Sequence, residues 1–238
     1  MRRTKQAVQD NSEQAAQDNS DESQQSTSIS LAERPPRLTR RERRKIATRE
    51  ALVTAAQEVI AVKGVYLAVI EEITERADVA KGSFYQYFRD RDDLLHVILS
   101  RRIEELHAIV EATSPPRIFA ERIRVLLRHH LEYFLRHEDF LLFLHQIRGL
   151  IKMKGDETPA VRDTYQRYLT FLAQWLQPQD AKTRNVGKLY EEGACAVLGF
   201  LTGFLSHYAV LAPLVNLTRD KARIEMALAE ACVTFWQQ

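Results

Sequence analysis

The chain has 238 residues, 45% hydrophobic and 28% charged, which is long enough for a real core and typical of a water-soluble globular protein. Its two cysteines, Cys195 and Cys232, are too few for a disulfide scaffold and have no metal-binding spacing, so a reducing, cytoplasmic setting is expected. The net charge of +2 hides an asymmetry: residues 34–49 carry eight basic side chains against Glu42 alone, whereas residues 1–33 carry three against six acids.

Residues 1–36 are rich in Gln, Ser, Asp and Asn and nearly free of large apolar side chains, so they read as a disordered polar tail ended by Pro35–Pro36. No apolar run follows Arg2, Arg3 and Lys5, and no secretory signal is expected. The basic run Arg37–Arg49 reads either as an extension of the first helix or as an arm lying along a polyanion, and the sequence leaves both open. That helix carries Leu52, Ala56, Val59 and Ile60 on one stripe and stops at Gly64.

Residues 69–88, VIEEITERADVAKGSFYQYF, hold the most specific signal. Ile70, Ile73 and Ala77 recur at spacings of three and four, so they share a buried face. Asp78 stands where the chain must reverse, and Asp tolerates a left-handed backbone. Val79 fills the corner, and Phe84 and Phe88 supply the inward face of a second short helix. Lys81, Ser83, Tyr85, Gln86 and Tyr87 are left pointing outward. This is a helix-turn-helix pattern, whose second helix enters a DNA major groove.

Residues 49–96 resemble the DNA-binding domain of the tetracycline-repressor (TetR) family of bacterial regulators. Ile60, Lys63, Gly64, Ile70, Ile73, Ala77, Val79, Lys81, Gly82, Tyr85, Tyr87, Phe88, Asp90, Arg91 and Leu94 fall at that family's positions. Three residues depart from the pattern: Val69 replaces a capping Thr or Ser, Thr74 a small Ala, and Asp78 the turn Gly. The resemblance implies that Lys81 and Tyr85 contact phosphates, and that Ser83, Gln86 and Tyr87 meet base edges or nearby backbone. Gln86 has the paired donor and acceptor that recognise adenine. Gly82 would allow close backbone approach, and Arg91 corresponds to a phosphate-contacting Lys. Arg40, Arg43 and Arg44 of the basic run would add salt-sensitive affinity.

Beyond Asp90, which is placed to cap a fourth helix, Leu94, Leu95, Ile98, Ile103, Leu106 and Val110 extend that helix to about Ala112. Three further helices are expected over 118–137, 139–154 and 160–176, separated by Pro115–Pro116, Lys154–Gly155 and Pro178. With no period-2 alternation, the expected fold is all-α with about nine helices. The expected domains are a tail (1–36), a helix-turn-helix head with its basic arm (37–96) and a helical effector-binding and dimerisation body (97–238).

Between Glu192 and Arg219 no side chain is charged, and Gly193–Val215 is apolar enough to raise a membrane span, with Gly199 and Gly203 spaced for close helix packing. Thr202, Ser206 and His207 interrupt that run and Pro213 closes it, which favours a buried, subunit-joining helix over a membrane helix. The last helix, 218–236, sets Ile224, Leu228, Ala231 and Phe235 on a stripe. The family resemblance implies a homodimer through these last two helices, with no membrane partner.

The resemblance also implies a small-molecule pocket in the body. Phe134, Phe143, His145, Tyr165, Tyr168, Phe171 and Trp175 are its candidate lining, although aromatic residues at helical spacing usually form core. An apolar, aromatic or lipid-like effector suits such a lining. His129, His130, His137 and His145 have no metal-binding spacing, and neither a metal nor a cofactor is expected. No phosphate loop, nucleophile elbow or paired Cys-x-x-Cys supports an enzyme. The reading is a ligand-responsive repressor that binds a palindromic operator as a dimer. The competing readings are a membrane-tethered helical protein and an α-helical enzyme with a vestigial head.

Overall fold

The computed structural model describes residues 38–154, 158–177 and 186–236, and the tail expected over 1–36 lies outside them. The described residues are helical: α1 (Arg40–Lys63), α2 (Ile70–Arg76), α3 (Lys81–Phe84), α4 (Arg91–Glu111), α5 (Phe119–Arg136), α6 (Glu138–Lys154), α7 (Pro159–Leu176), α8 (Val186–Leu211), a 3-10 segment (Leu214–Asp220) and α9 (Lys221–Trp236). The all-α expectation holds, with nine α-helices among the described residues.

The chain divides at Arg43–Arg44 into two compact units. In the first, Thr39 and Glu42 form a capping box. The Thr39 N–H donates to Glu42 Oε2 at 2.7 Å, and the Glu42 N–H donates to Thr39 Oγ1 at 3.2 Å. This decides the question left open over 37–49: the run is helical from Arg40 onward. The Thr-x-x-Glu signature was present in the sequence.

In the second unit, the head is built from the rest of α1 with α2, α3 and the start of α4. Leu52, Val53, Ala56, Val59 and Ile60 of α1 bury against Ile73, Phe84, Phe88, Leu94 and Leu95. Ion pairs fasten the rim: Arg76 to Glu58 at 3.1 Å, Lys63 to Glu72 at 2.8 Å, and Arg101 to both Glu50 oxygens at 2.5 Å. Asp90 caps α4, its carboxylate accepting from the Asp93 N–H at 2.8 Å. Because α4 runs unbroken past residue 96, head and body share one helix and no linker separates them.

The body packs α5, α6 and α7 with α8 and α9 around Leu126, Leu127, Leu131, Phe134, Leu172, Leu201 and Leu205. Arg128 grips Glu225 through Nε and Nη2 at 2.8–3.2 Å, and Lys221 reaches Glu132 at 2.5 Å, so α9 is held on α5 by charge as well as by burial. The stripe expected on α9 needs correction. Ile224, Ala229 and Cys232 form the buried face, while Ala231 and Phe235 are exposed and Leu228 only half-buried. At about 100° per residue the expected four stay on one stripe. The buried face is centred on Glu225, Ala229 and Cys232, turned roughly 80° from it, so the stripe lies along the edge of the core contact.

At the junction of head and body, Gly64 takes a left-handed backbone (φ +80°) and ends α1. A Cβ there would lie 2.9 Å from Gln146 Oε1 of α6, and the same oxygen accepts the Val65 N–H at 2.5 Å.

Candidate nucleic-acid interface

The helix-turn-helix depends on local choices that the sequence announces. Val69 enters α2 in an extended conformation and makes no side-chain cap. Thr74, standing where a small residue was expected, is 2% exposed, and its hydroxyl donates to the carbonyls of Ile70 and Glu71 at 3.0 and 2.9 Å. The larger polar side chain is thereby satisfied within its own helix. Asp78 turns the chain at φ +54°, the left-handed conformation expected of it. The Val79 N–H then closes the corner on the Thr74 carbonyl at 3.0 Å.

The second helix is shorter than expected. Regular α-helix ends at Phe84, but Tyr87 N–H bonds the Phe84 carbonyl at 2.9 Å and Phe88 N–H does so at 3.0 Å, so turns continue to Phe88. Phe84 and Phe88 are buried with ring centroids 5.5 Å apart, and the Arg49 guanidinium lies 5.2 Å from the Phe88 ring. Lys81, Gly82, Tyr85 and Gln86 are exposed, and Ser83 and Tyr87 are half-buried. A Cβ on Gly82 would meet no atom within 4 Å. A contiguous outward surface of one cation, two phenols, an amide and a hydroxyl results, which matches the donors and acceptors that phosphates and base edges offer.

Two expected phosphate contacts are engaged within the protein. Lys81 Nζ is paired with Glu71 of α2, and this bond holds the Glu71 carboxyl below, and the Lys81 ammonium above, their ordinary pKa values. Arg91 Nη1 donates to the carbonyls of Val65, Tyr66 and Ala68 at 3.3–3.4 Å, bracing the loop between α1 and α2. Arg40, Arg43 and Arg44 are exposed on the first turns of α1.

The candidate effector residues fall into separate groups. Phe143, Phe134, Tyr168 and Phe171 join a chain of rings: Phe143 to Phe140 to Phe134, then through His130 to Tyr168, Phe171 and His107, with neighbouring centroids 3.8–6.4 Å apart. His130 is fully buried. It donates from Nδ1 to the Leu126 carbonyl at 2.7 Å and accepts the Tyr168 hydroxyl at Nε2 at 2.6 Å, and burial pushes its pKa down to about 4. His145 is exposed beside Arg148, which also adjoins Tyr165. Trp175 lies apart, its indole N–H reaching the Thr113 carbonyl at 3.4 Å. An open groove of about 580 Å³ runs past Phe171, His107, Arg167 and Gln174, and a cleft of about 250 Å³ lies beside Phe143, Leu142, Gln146 and Gly64. The sequence reading missed His107, Arg167 and Gln146 as lining. His107 had a signal, since it lies on α4 four residues after Ile103 and three before Val110.

Head and body thus define the architecture: a helix-turn-helix head joined to an all-helical C-terminal body. Residues 52–98 match the model described as bacterial regulatory proteins, tetR family. That match lies on the helix-turn-helix head and the first turns of α4. The chain is 30% identical over 80 residues to the HTH-type transcriptional regulator YxbF of Bacillus subtilis, covering 33% of this chain and 21% of that one. It is 23% identical over 105 residues to the transposon Tn10 TetC protein of Escherichia coli, covering 44% of this chain and 53% of TetC. The matches therefore span about a fifth and about half of these relatives' lengths.

Solved structures resemble the fold over about three quarters or more of the chain. The fatty acid degradation regulator FadR of Bacillus halodurans superposes with a TM-score of 0.59 at 17% identity, over 76% of this chain and 94% of that one. FadR of Bacillus subtilis in complex with stearoyl-CoA gives 0.55 at 15% identity, over 76% and 97%. A TetR-like transcriptional regulator of Rhodococcus sp. RHA1 gives 0.53 at 18%, over 82% and 96%. At these identities the likeness is one of fold.

Proposed function

We propose that this protein is a cytoplasmic, effector-responsive repressor that binds a palindromic operator as a homodimer. The observation that carries the reading is the outward surface Lys81–Tyr87, held on a buried Phe84–Phe88 pair inside a head of the tetR family. In this reading Tyr85 and Lys81 meet phosphates, and Ser83, Gln86 and Tyr87 meet base edges. Arg40, Arg43, Arg44 and Arg91 add electrostatic contacts. A two-fold dimer needs two half-sites related by the same symmetry. Selection from a random duplex pool at low ionic strength is therefore expected to recover an inverted repeat, and recovery of no sequence at all would end the reading.

The proposed partner face is the outer stripe of α8 and α9. Phe200, Phe204, Met226 and Phe235 are exposed there, and a Cβ added to Gly199 or Gly203 would meet nothing within 4 Å. A second copy laid on this stripe would cover it, with the glycines permitting close approach. Over Tyr190–Leu211, α8 is long and apolar enough to cross a membrane, but its inner face packs on α7 and α9 and its outer stripe includes His207. The dimer reading uses both faces. Gly203→Arg is expected to keep the helical circular dichroism of the wild type while shifting sedimentation from dimer to monomer. A variant that remains dimeric would place the interface elsewhere.

The effector would be apolar or aromatic, entering along the ring chain from Phe143 through Phe134 and Tyr168 to Phe171. The stearoyl-CoA bound by FadR of Bacillus subtilis supports a lipid-like candidate. Preferential binding of the effector to one conformation would lower DNA affinity by shifting the population toward it. No catalytic residue, cofactor or metal enters this reading.

A further inference from the structure

We propose that Glu71 is a built-in competitor for DNA phosphate, holding Lys81 back from non-specific duplex and releasing it at the operator. The role rests on the DNA-binding reading of the head given above.

Three observations support it. Lys81 is the sole cation between Lys81 and Phe88, so its pairing with Glu71 leaves that segment electrically neutral. The pair joins two elements, α2 and the start of α3, on the outer surface, with both side chains more than half exposed (56% and 59%). The neighbouring acids are otherwise arranged: Glu72 is matched by Lys63 on α1, and α2 carries Glu71, Glu72 and Glu75 against Arg76, which turns to Glu58. The carboxylate beside Lys81 therefore adds negative charge at the place where the head would approach phosphates.

Magnitudes decide what such a pair does. An exposed ion pair is worth about 0–1 kcal/mol, so a well-placed phosphate displaces Glu71 readily. In a loose, sequence-independent complex each phosphate contact is of similarly small worth and is counted as about 0.9 in the slope of log affinity against log salt. There the carboxylate competes on equal terms, and Lys81 is withheld. At the operator, base contacts fix the register and hold a phosphate against Lys81, and the competitor loses. Glu71 thus removes one phosphate contact from the loose complex, whereas the operator complex makes that contact at the cost of the ion pair.

The test compares wild type, Glu71→Gln, Lys81→Met and the double variant on the operator recovered by selection and on a random duplex of equal length, across a salt series. Glu71→Gln is expected to raise affinity for the random duplex several-fold and steepen its salt slope by about 0.9, with the operator slope unchanged. Against Lys81→Met, the same substitution is expected to do neither. Unchanged binding of the random duplex by Glu71→Gln would overturn the proposal. So would an equal gain in the Lys81→Met background, which would make Glu71 a diffuse charge rather than a partner. Failure of the wild type to bind any duplex would overturn the DNA-binding reading itself, and this role with it. Thermal melts of all four proteins establish that folding is retained, as expected for exposed side chains.

Discussion

Phe84→Ala is expected to cost about 3–5 kcal/mol and to abolish operator binding without touching a base. Phe84 is fully buried, 5.5 Å from the Phe88 ring and 5.4 Å from the Tyr85 ring, at the one point where α3 reaches the small core of the head. The helix it anchors has only four residues and makes too few hydrogen bonds to stand alone. Packing, not propensity, holds Lys81–Tyr87 in place. Removing the ring leaves a cavity that so short an element fills only by moving. Amide exchange should accelerate over residues 70–88 and stay slow in α5 and α7, and operator affinity should fall to the non-specific level. A variant with wild-type exchange and wild-type affinity would show that Phe84 is not the anchor.

The second large effect is expected far from DNA, at Arg122. Its side chain is 4% exposed, yet its bonds go to backbone carbonyls. Nε donates to Pro116 at 2.5 Å, and Nη1 to Trp175, Leu176 and Gln177 at 3.0, 3.3 and 2.6 Å. The last carbonyls of a helix have no partner within it, and the end of α7 carries the negative pole of the helix dipole. A guanidinium meets both needs, fastening α5 to the end of α7 and to the 116 turn. Arg122→Met fills the space but orphans buried carbonyls, each costing about 1–3 kcal/mol, for a total of about 3–5 kcal/mol. The melting midpoint is expected to drop by about 10 °C. Arg122→Lys should recover little, because one ammonium does not reproduce the fork. A midpoint within about 2 °C of wild type would refute the role.

Much of the head was legible because its constraints are local. A turn needing a left-handed residue, two phenylalanines four apart and a glycine ending a helix are each visible within a few positions, and the structure places Asp78, Phe84, Phe88 and Gly64 accordingly. What escaped the sequence reading depends on partners distant in the chain. Lys81 and Arg91 look like free cations until Glu71 and the carbonyls of the α1–α2 loop are brought beside them. Arg122 and His130 lie on the apolar face of α5 beside Leu126 and Leu127, a polar pair on a buried stripe that periodicity alone passes over. In the body, aromatic spacing found Phe134, Phe143, Tyr168 and Trp175, which are buried, but passed over Tyr133 and Phe140 and included the exposed His145. Nor does it show how the rings group, because Phe134 and Tyr168 meet through His130 on separate helices.

The 21 residues of α4 begin beside the helix-turn-helix and end in the helical body, with buried side chains from Leu94 to Val110. Such a rod is about 30 Å long. A tilt of about 5° about one end carries the other through nearly 3 Å, roughly the length of a hydrogen bond. A base edge forgives far less than that. In the proposed complex, a displacement too slight to loosen either half of the molecule would therefore suffice to lift the amide and hydroxyls of Ser83–Tyr87 out of register with DNA.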